Sequence, residues 1–256
     1  MRLKAPVKLG AATAALLPAL LLGAVGCSGT GTPETDKAPD PKGSASAPNP
    51  SSGAPGAPAG SAAPKKGGSR LERSALEQGD LAGYQISAQG KNPNAPDGQP
   101  QSDKKPCQPL ADIMGDKPDP AARETVNRGV GSQKQVGLAV SASVSSYAEK
   151  DAKRLMSRLR DAVAACGSGF AATVQKQTGS YRDVKPVAYE TGGDESVSWT
   201  TTAAAQGVSA QVHLVVVREG DTVVRLMALH VAAAEKKAQV PREVADKQLE
   251  KVQRAA

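Results

Sequence analysis

The sequence predicts an α+β domain: an antiparallel sheet of about five or six strands with two or three helices packed on one face. Three observations point there. Ala148, Ala152, Leu155, Met156, Leu159, Ala162, Val163 and Cys166 recur at three- and four-residue spacing, an amphipathic stripe of one long helix. Two apolar runs, "VSAQVHLVVV" and "TVVRLMALHV", are joined by "REGD", a hairpin signal in which Gly220 supplies the turn conformation. Elsewhere strand signals follow one another without alternating helices, which argues against a doubly wound parallel sheet.

Taken in order, "LERSALEQGD" predicts a short helix ending before Gly79, and "GYQIS" a strand. A polar stretch with proline and asparagine runs from Ala88 to Pro106, too long and too poor in apolar anchors to expect order. "PLADIMG" follows Cys107 as a helical turn. Leu138, Val140, Ala142 and Val144 alternate with small residues as a half-buried strand ending at Tyr147. The long helix comes next, and Gly167 is expected to terminate it. Strands are expected at "YRDVKPVAYE" and "ESVSWTTTAA", then the apolar hairpin. "PREVADKQLEKVQ" closes the chain as a helix, with Pro241 suited to its first turn.

Ahead of this domain lie two segments of other character. Residues 1–26 have the form of an export signal: Arg2, Lys4 and Lys8, then an apolar run from Ala11 to Val25. That run is short of the roughly 20 residues that cross a bilayer, and Pro18 interrupts it. Ala24-Val25-Gly26 fits ordinary signal cleavage, and Ala24-Val25-Gly26-Cys27 also resembles the bacterial lipobox, whose cysteine is acylated and becomes the new amino terminus. An exported protein with three cysteines carries an odd one. Lipidation of Cys27 removes it and leaves Cys107 and Cys166; plain secretion is the alternative. Residues 27–70 then form a Pro/Ser/Gly/Ala tether with too little apolar side chain to offset its ordering entropy. As a coil it would average roughly 35–40 Å end to end. Residues 71–256 are left as a single domain.

The formal charge of +7 belongs mostly to the flanking segments. The domain holds 24 basic against 22 acidic residues, and no basic stripe interleaved with aromatics, so nucleic acid is not an expected partner. Cys166 on the apolar face of the long helix and Cys107 at the start of a helical turn, in an oxidising compartment, most simply form a disulfide, with a reactive thiol or a metal ligand as the rivals. Two cysteines and two distant histidines make poor metal spacing. The sequence contains no G-x-S-x-G, H-E-x-x-H, P-loop or G-x-G-x-x-G, and no cofactor motif. His213 and His230 stand in apolar strands, where a satisfied sheet histidine is the ordinary case. "GVGS" at Gly129–Ser132 and "CGSGF" at Cys166–Phe170 read as glycine punctuation. Asp116 with Asp119, and Asp194 with Glu195, read as solvated turns or weak calcium positions. Arg218 and Arg225 read as exposed strand arginines that protect an edge or meet an anionic ligand.

"DLAGYQIS", "CQPLADIM", "SYAEKDAKRLMSRLRDAVAAC", "VVVREGDTVVRLMALHV" and "PREVADKQLEKV" in this order resemble a group of actinobacterial (Streptomyces-like) lipoproteins. Their globular part is similar to the extracellular sensor domain of a mycobacterial serine/threonine kinase. The resemblance implies an antiparallel sheet with packed helices, a disulfide from the long helix, and a ligand cleft; it carries no ligand residues. The expected function is thus a non-catalytic lipoprotein on the outer face of the cytoplasmic membrane, displaying a sensor-like domain. Its partners are the membrane through the lipid anchor and a lipid, a cell-wall fragment or an envelope protein. A deep apolar cleft between sheet and helices would favour a ligand-binding role. An exposed apolar patch without a cleft would favour a structural envelope protein.

Overall fold

In a computed structural model, residues 68–88, 98–115, 118–231 and 236–256 are described. The signal, Cys27 and nearly all of the tether lie outside these residues, as does Asp116.

Nine strands form one sheet, all neighbours antiparallel: β1 (Tyr84–Ser87), β2 (Gln101–Ser102), β3 (Glu124–Ser132), β4 (Leu138–Ser146), β5 (Phe170–Val174), β6 (Gln177–Pro186), β7 (Glu195–Ala205), β8 (Val208–Glu219) and β9 (Thr222–His230). Their spatial order is β1-β3-β4-β9-β8-β7-β6-β5-β2. The helices are α1 (Arg70–Ser74), α2 (Gln108–Met114), α3 (Glu149–Ala165) and α4 (Arg242–Ala255).

The expected five or six strands are therefore three or four short of the observed nine, and β2, β3 and β5, which were not expected, share a cause. β3 carries Asn127, Arg128, Gly129 and Gly131, and β5 is five residues beside a glycine-rich turn, so neither presents an apolar alternation. β2 is two residues inside the stretch expected to lack order, where Pro100 is buried and Ser102 N–H donates to Gln108 Oε1 at 2.8 Å. Gly167 is not the residue that turns the chain after α3. Gly169 is, at φ 87°, where a Cβ would stand 2.3 Å from the Tyr181 carbonyl oxygen.

Helices also lie on both faces of the sheet, not on one. α1 and α4 cover β1, β3, β4, β9 and β8 through a core that includes Val126, Val140, Val144, Leu226, Val215, Val244 and Leu249. α2 and α3 cover the opposite face of β8, β7, β6 and β5 through Leu155, Leu159, Trp199, Leu214 and Val216. The physical reason is in β8 and β9. Both rows of side chains there are apolar and buried, so each face needs a cover. α3 supplies one through the predicted stripe, with Ala152, Leu155, Met156, Leu159 and Ala162 each buried. Cys107, just before α2, is bonded to Cys166 at the end of α3, with Cα atoms 5.9 Å apart. The bridge closes a loop of 59 residues and is worth about 4 kcal/mol in the chain-entropy account.

The described chain enters beside the β8–β9 turn. Ser69 caps α1 by accepting from Glu72 N–H at 3.2 Å, and Arg70 pairs with Asp221 at 2.8 Å. Near the other terminus, Gln253 reaches Glu219 at the same end of the sheet. The β3–β4, β5–β6 and β7–β8 turns all project from the opposite end.

Candidate functional site

The two helix pairs are offset, and each leaves half of one face bare. On the α3 side of β1, β3 and β4 no helix among the described residues packs, because that row offers nothing apolar to bury: Gln85 and Ser87, Gly129 and Gly131, Ala139, Ser141 and Ser143. The small side chains sink the surface into a trough of about 690 Å³, lined by Gln78, Gln85, Gly131, Gln133, Ser141 and Leu229 among others. Gly131 is informative. Its backbone does not adopt a positive φ, and the nearest atom to an added Cβ is the Gln85 carbonyl at 4.0 Å. Neither conformation nor packing requires glycine there; what its missing side chain does is keep the floor open.

A positive charge lies under one end of that floor. Arg225, only 3% exposed, projects from β9 onto the same face. Its Nε donates to Ser143 Oγ at 2.9 Å and its Nη2 to Ser141 Oγ at 3.2 Å. Tyr147 and Asp119 stand close enough to share its field, and burial with the Asp119 charge pushes the Tyr147 phenol well above its usual range. The trough thus offers amides, hydroxyls and exposed strand backbone, with a guanidinium behind the serines. It is not the deep apolar cleft between sheet and helices that would mark a ligand pocket of the ordinary kind.

The other sequence candidates are used up by the fold. Arg218 is buried and sits in a closed ion cluster: its Nη1 donates to Asp194 Oδ2 at 2.7 Å, its Nε to Glu195 Oε1 at 2.8 Å. Arg160 of α3 also pairs with Glu195, and Gly220 N–H donates to Asp194 at 2.9 Å. The Gly220 donor lowers the Asp194 carboxyl and the Arg160 partner lowers Glu195, so both are tied into ion pairs, Asp194 while still exposed to solvent. Arg218 and Arg225 stand on the central strands of the sheet, so neither guards an edge. Asp119 is buried, accepts from Ala121 N–H at 2.7 Å and meets Arg158 at 3.4 Å. Among the described residues no cluster of three or more histidine, cysteine or carboxylate side chains suits a metal ion.

Among the described residues His213 is the one pairing with a catalytic look, since its Nε2 lies 2.9 Å from Ser198 Oγ. Its Nδ1 accepts from Val240 N–H at 2.9 Å, which places the ring proton on Nε2. The nitrogen facing Ser198 is then a donor and takes no proton from the hydroxyl. Burial lowers the ring's pKa to about 4, so the neutral tautomer prevails, held against the Tyr189 ring at 5.6 Å. His230 is buried at the end of β9, and its Nδ1 has no hydrogen-bond partner among the described residues.

Sequence reasoning missed the trough because it took Gly129–Ser132 as punctuation. The signal available was compositional: Gly129 and Gly131 in β3 and Ala139, Ser141 and Ser143 in β4 put small residues at alternate positions of two adjoining strands.

No family model matches this chain, and no curated protein sequence matches it significantly. Among solved structures it is similar to the extracellular domain of PknH from Mycobacterium tuberculosis, with a TM-score of 0.46 and 13% identity over 73% of this chain and 94% of that one. A second match is an uncharacterised protein of Mycobacterium smegmatis, with a TM-score of 0.36 and 11% identity over 68% and 90% of the two chains.

Proposed function

We propose that this chain is a non-catalytic lipoprotein, anchored through acylated Cys27 to the outer face of the cytoplasmic membrane. Residues 1–26 serve as its signal and 27–70 as a flexible tether, and the domain from residue 71 onward binds a polar ligand in the bare trough. The observation that carries the binding role is Gly131: a floor kept open without structural need, beside serines that hold a buried guanidinium. The lining favours a cell-wall fragment over a lipid. Hydroxyl and amide groups of a glycan or stem peptide find partners in Gln78, Gln85, Gln133 and Ser141, while Ile86, Val130, Val140 and Leu229 give the apolar faces of sugar rings something to lie on. The Cys107–Cys166 bond supports a compartment outside the cytoplasm.

The test has two arms. Native mass spectrometry of protein purified from its own host should show a retained polar adduct, lost in Gly131→Leu with an unchanged melting temperature. An adduct retained equally by that variant, or none in the wild type, overturns the binding role. Fatty-acid labelling should be abolished by Cys27→Ala; label that persists in the variant overturns the anchor.

A further inference from the structure

A second cavity, of about 430 Å³, lies on the α3 side of the sheet at the opposite edge, between the end of α2 and the β5–β6 and β7–β8 turns. Its floor is apolar: Met114 from α2, Ala172 and Val174 from β5, and the ring of Tyr181, stacked on Phe170 at 4.9 Å. Its volume falls within the range of small-molecule sites.

The cavity has its own unexplained glycine. Gly179 sits opposite Ala172 in the middle of the β5–β6 ladder with no positive φ. A Cβ there would meet the Ala204 carbonyl at 3.7 Å and the Tyr181 Oη and Cε2 at 3.8 and 3.9 Å, ordinary contacts that any side chain makes. Glycine in a strand interior weakens the strand, and it persists where something approaches the backbone closely. Here the space over Gly179 is the cavity itself. Two polar groups address that space. Tyr181 Oη makes no hydrogen bond among the described residues, and burial raises its pKa, so it remains a donor. Lys176, exposed in the β5–β6 turn, lines the same cavity with an ammonium.

We propose that this cavity binds a small amphipathic anion: an acyl or aromatic body on the Met114–Val174–Tyr181 floor and one anionic head between Lys176 and the Tyr181 phenol. The site is separate from the trough in place and chemistry. A glycan would leave its apolar floor unfilled, and an uncharged apolar molecule would leave the phenol and ammonium unanswered.

The full chain carrying Cys27→Ala can be titrated with sodium octanoate by isothermal calorimetry, with 1-octanol and acetate alongside. Octanoate should bind more tightly than either. Gly179→Leu, which fills the cavity without backbone strain, should weaken octanoate at least about tenfold with the melting temperature unchanged. Lys176→Gln should weaken octanoate about two- to fivefold, as expected for an exposed charge pair, and leave octanol unaffected. Gly131→Leu should leave octanoate binding intact, which separates this site from the trough. Octanol bound as well as octanoate would overturn the anionic head. Undiminished binding in both Gly179→Leu and Lys176→Gln, or no octanoate binding in the parent chain, would overturn the site.

Discussion

At neutral pH His213 is an uncharged buried ring held between Val240 and Tyr189, and acid should destabilise the domain through it before most carboxylates are protonated. Burial lowers its pKa from 6.5 to about 4, and both ring nitrogens are already committed, Nδ1 to Val240 N–H and Nε2 to Ser198. A second proton on Nδ1 would have to displace the Val240 donor. Below pH 6.5 the unfolded chain takes up a proton that the folded one refuses, so stability falls as pH falls. The loss levels off once the folded ring protonates near pH 4. The full difference is about 3 kcal/mol, of which about 2 kcal/mol accrues between pH 7 and pH 5. The lowered carboxyls of Asp194, Glu195 and Glu243 act in the same direction, but only below their unfolded values of 3.8 to 4.5, outside that window. Urea unfolding at pH 7 and pH 5 should therefore show the wild type losing about 2 kcal/mol, while His213→Gln shows little change between the two pH values. Equal pH dependence in the two proteins would refute the buried neutral histidine. So would a wild type that gains stability on acidification.

Other expectations follow from the packing. Alkylation under denaturing, non-reducing conditions should find no free thiol at Cys107 or Cys166, and the double substitution to Ala should lower stability by about 4 kcal/mol; two free thiols would refute the bond. Leu159→Ala, at a fully buried position of α3, should cost about 3 kcal/mol by calorimetry, and a cost below 1 kcal/mol would mean its stripe is not core. The glycines should divide sharply. Gly169→Ala, with its Cβ driven onto Tyr181 O, should cost at least about 2 kcal/mol, whereas Gly131→Ala should stay within about 0.5 kcal/mol. Equal costs at the two positions would remove the argument that the trough floor is open by choice of residue.

The elements legible in the sequence were those whose order is written in apolar spacing. α3, α4, β4 and the β8–β9 hairpin emerged close to their observed limits. β3 and β5 did not, because their pairing rests on backbone hydrogen bonds and on neighbours already in place, and glycine or alanine leaves no periodic trace. Placing helices on one face came from treating "VHLVVV" simply as a strand. A run with both rows apolar is a strand buried on both sides, and that was the available sign of a second helix layer. The trough is hardest to see in sequence because it is made of what Gly131, Ala139 and Ser141 lack.

The doubly buried hairpin carries a liability of alignment. In a strand with one wet face, slipping the pairing by a single residue turns its apolar row to water, and the error corrects itself. β8 and β9 have no such safeguard, since valine and leucine occupy both rows and a slipped pairing buries nearly as much. Their two buried arginines discriminate where hydrophobic burial does not. A one-residue shift of β9 carries Arg225 away from Ser141 and Ser143 into the apolar layer under α4, and a shift of β8 takes Arg218 from Asp194 and Glu195. Their ion pairs and hydrogen bonds thus choose among near-degenerate alignments, a role distinct from adding stability. Arg218→Met should lower the melting temperature, because Asp194 and Glu195 lose their shared partner, and its folded fraction should show doubled amide resonances along β8 and β9. A single set of resonances would mean that the β8–β9 turn alone sets the pairing.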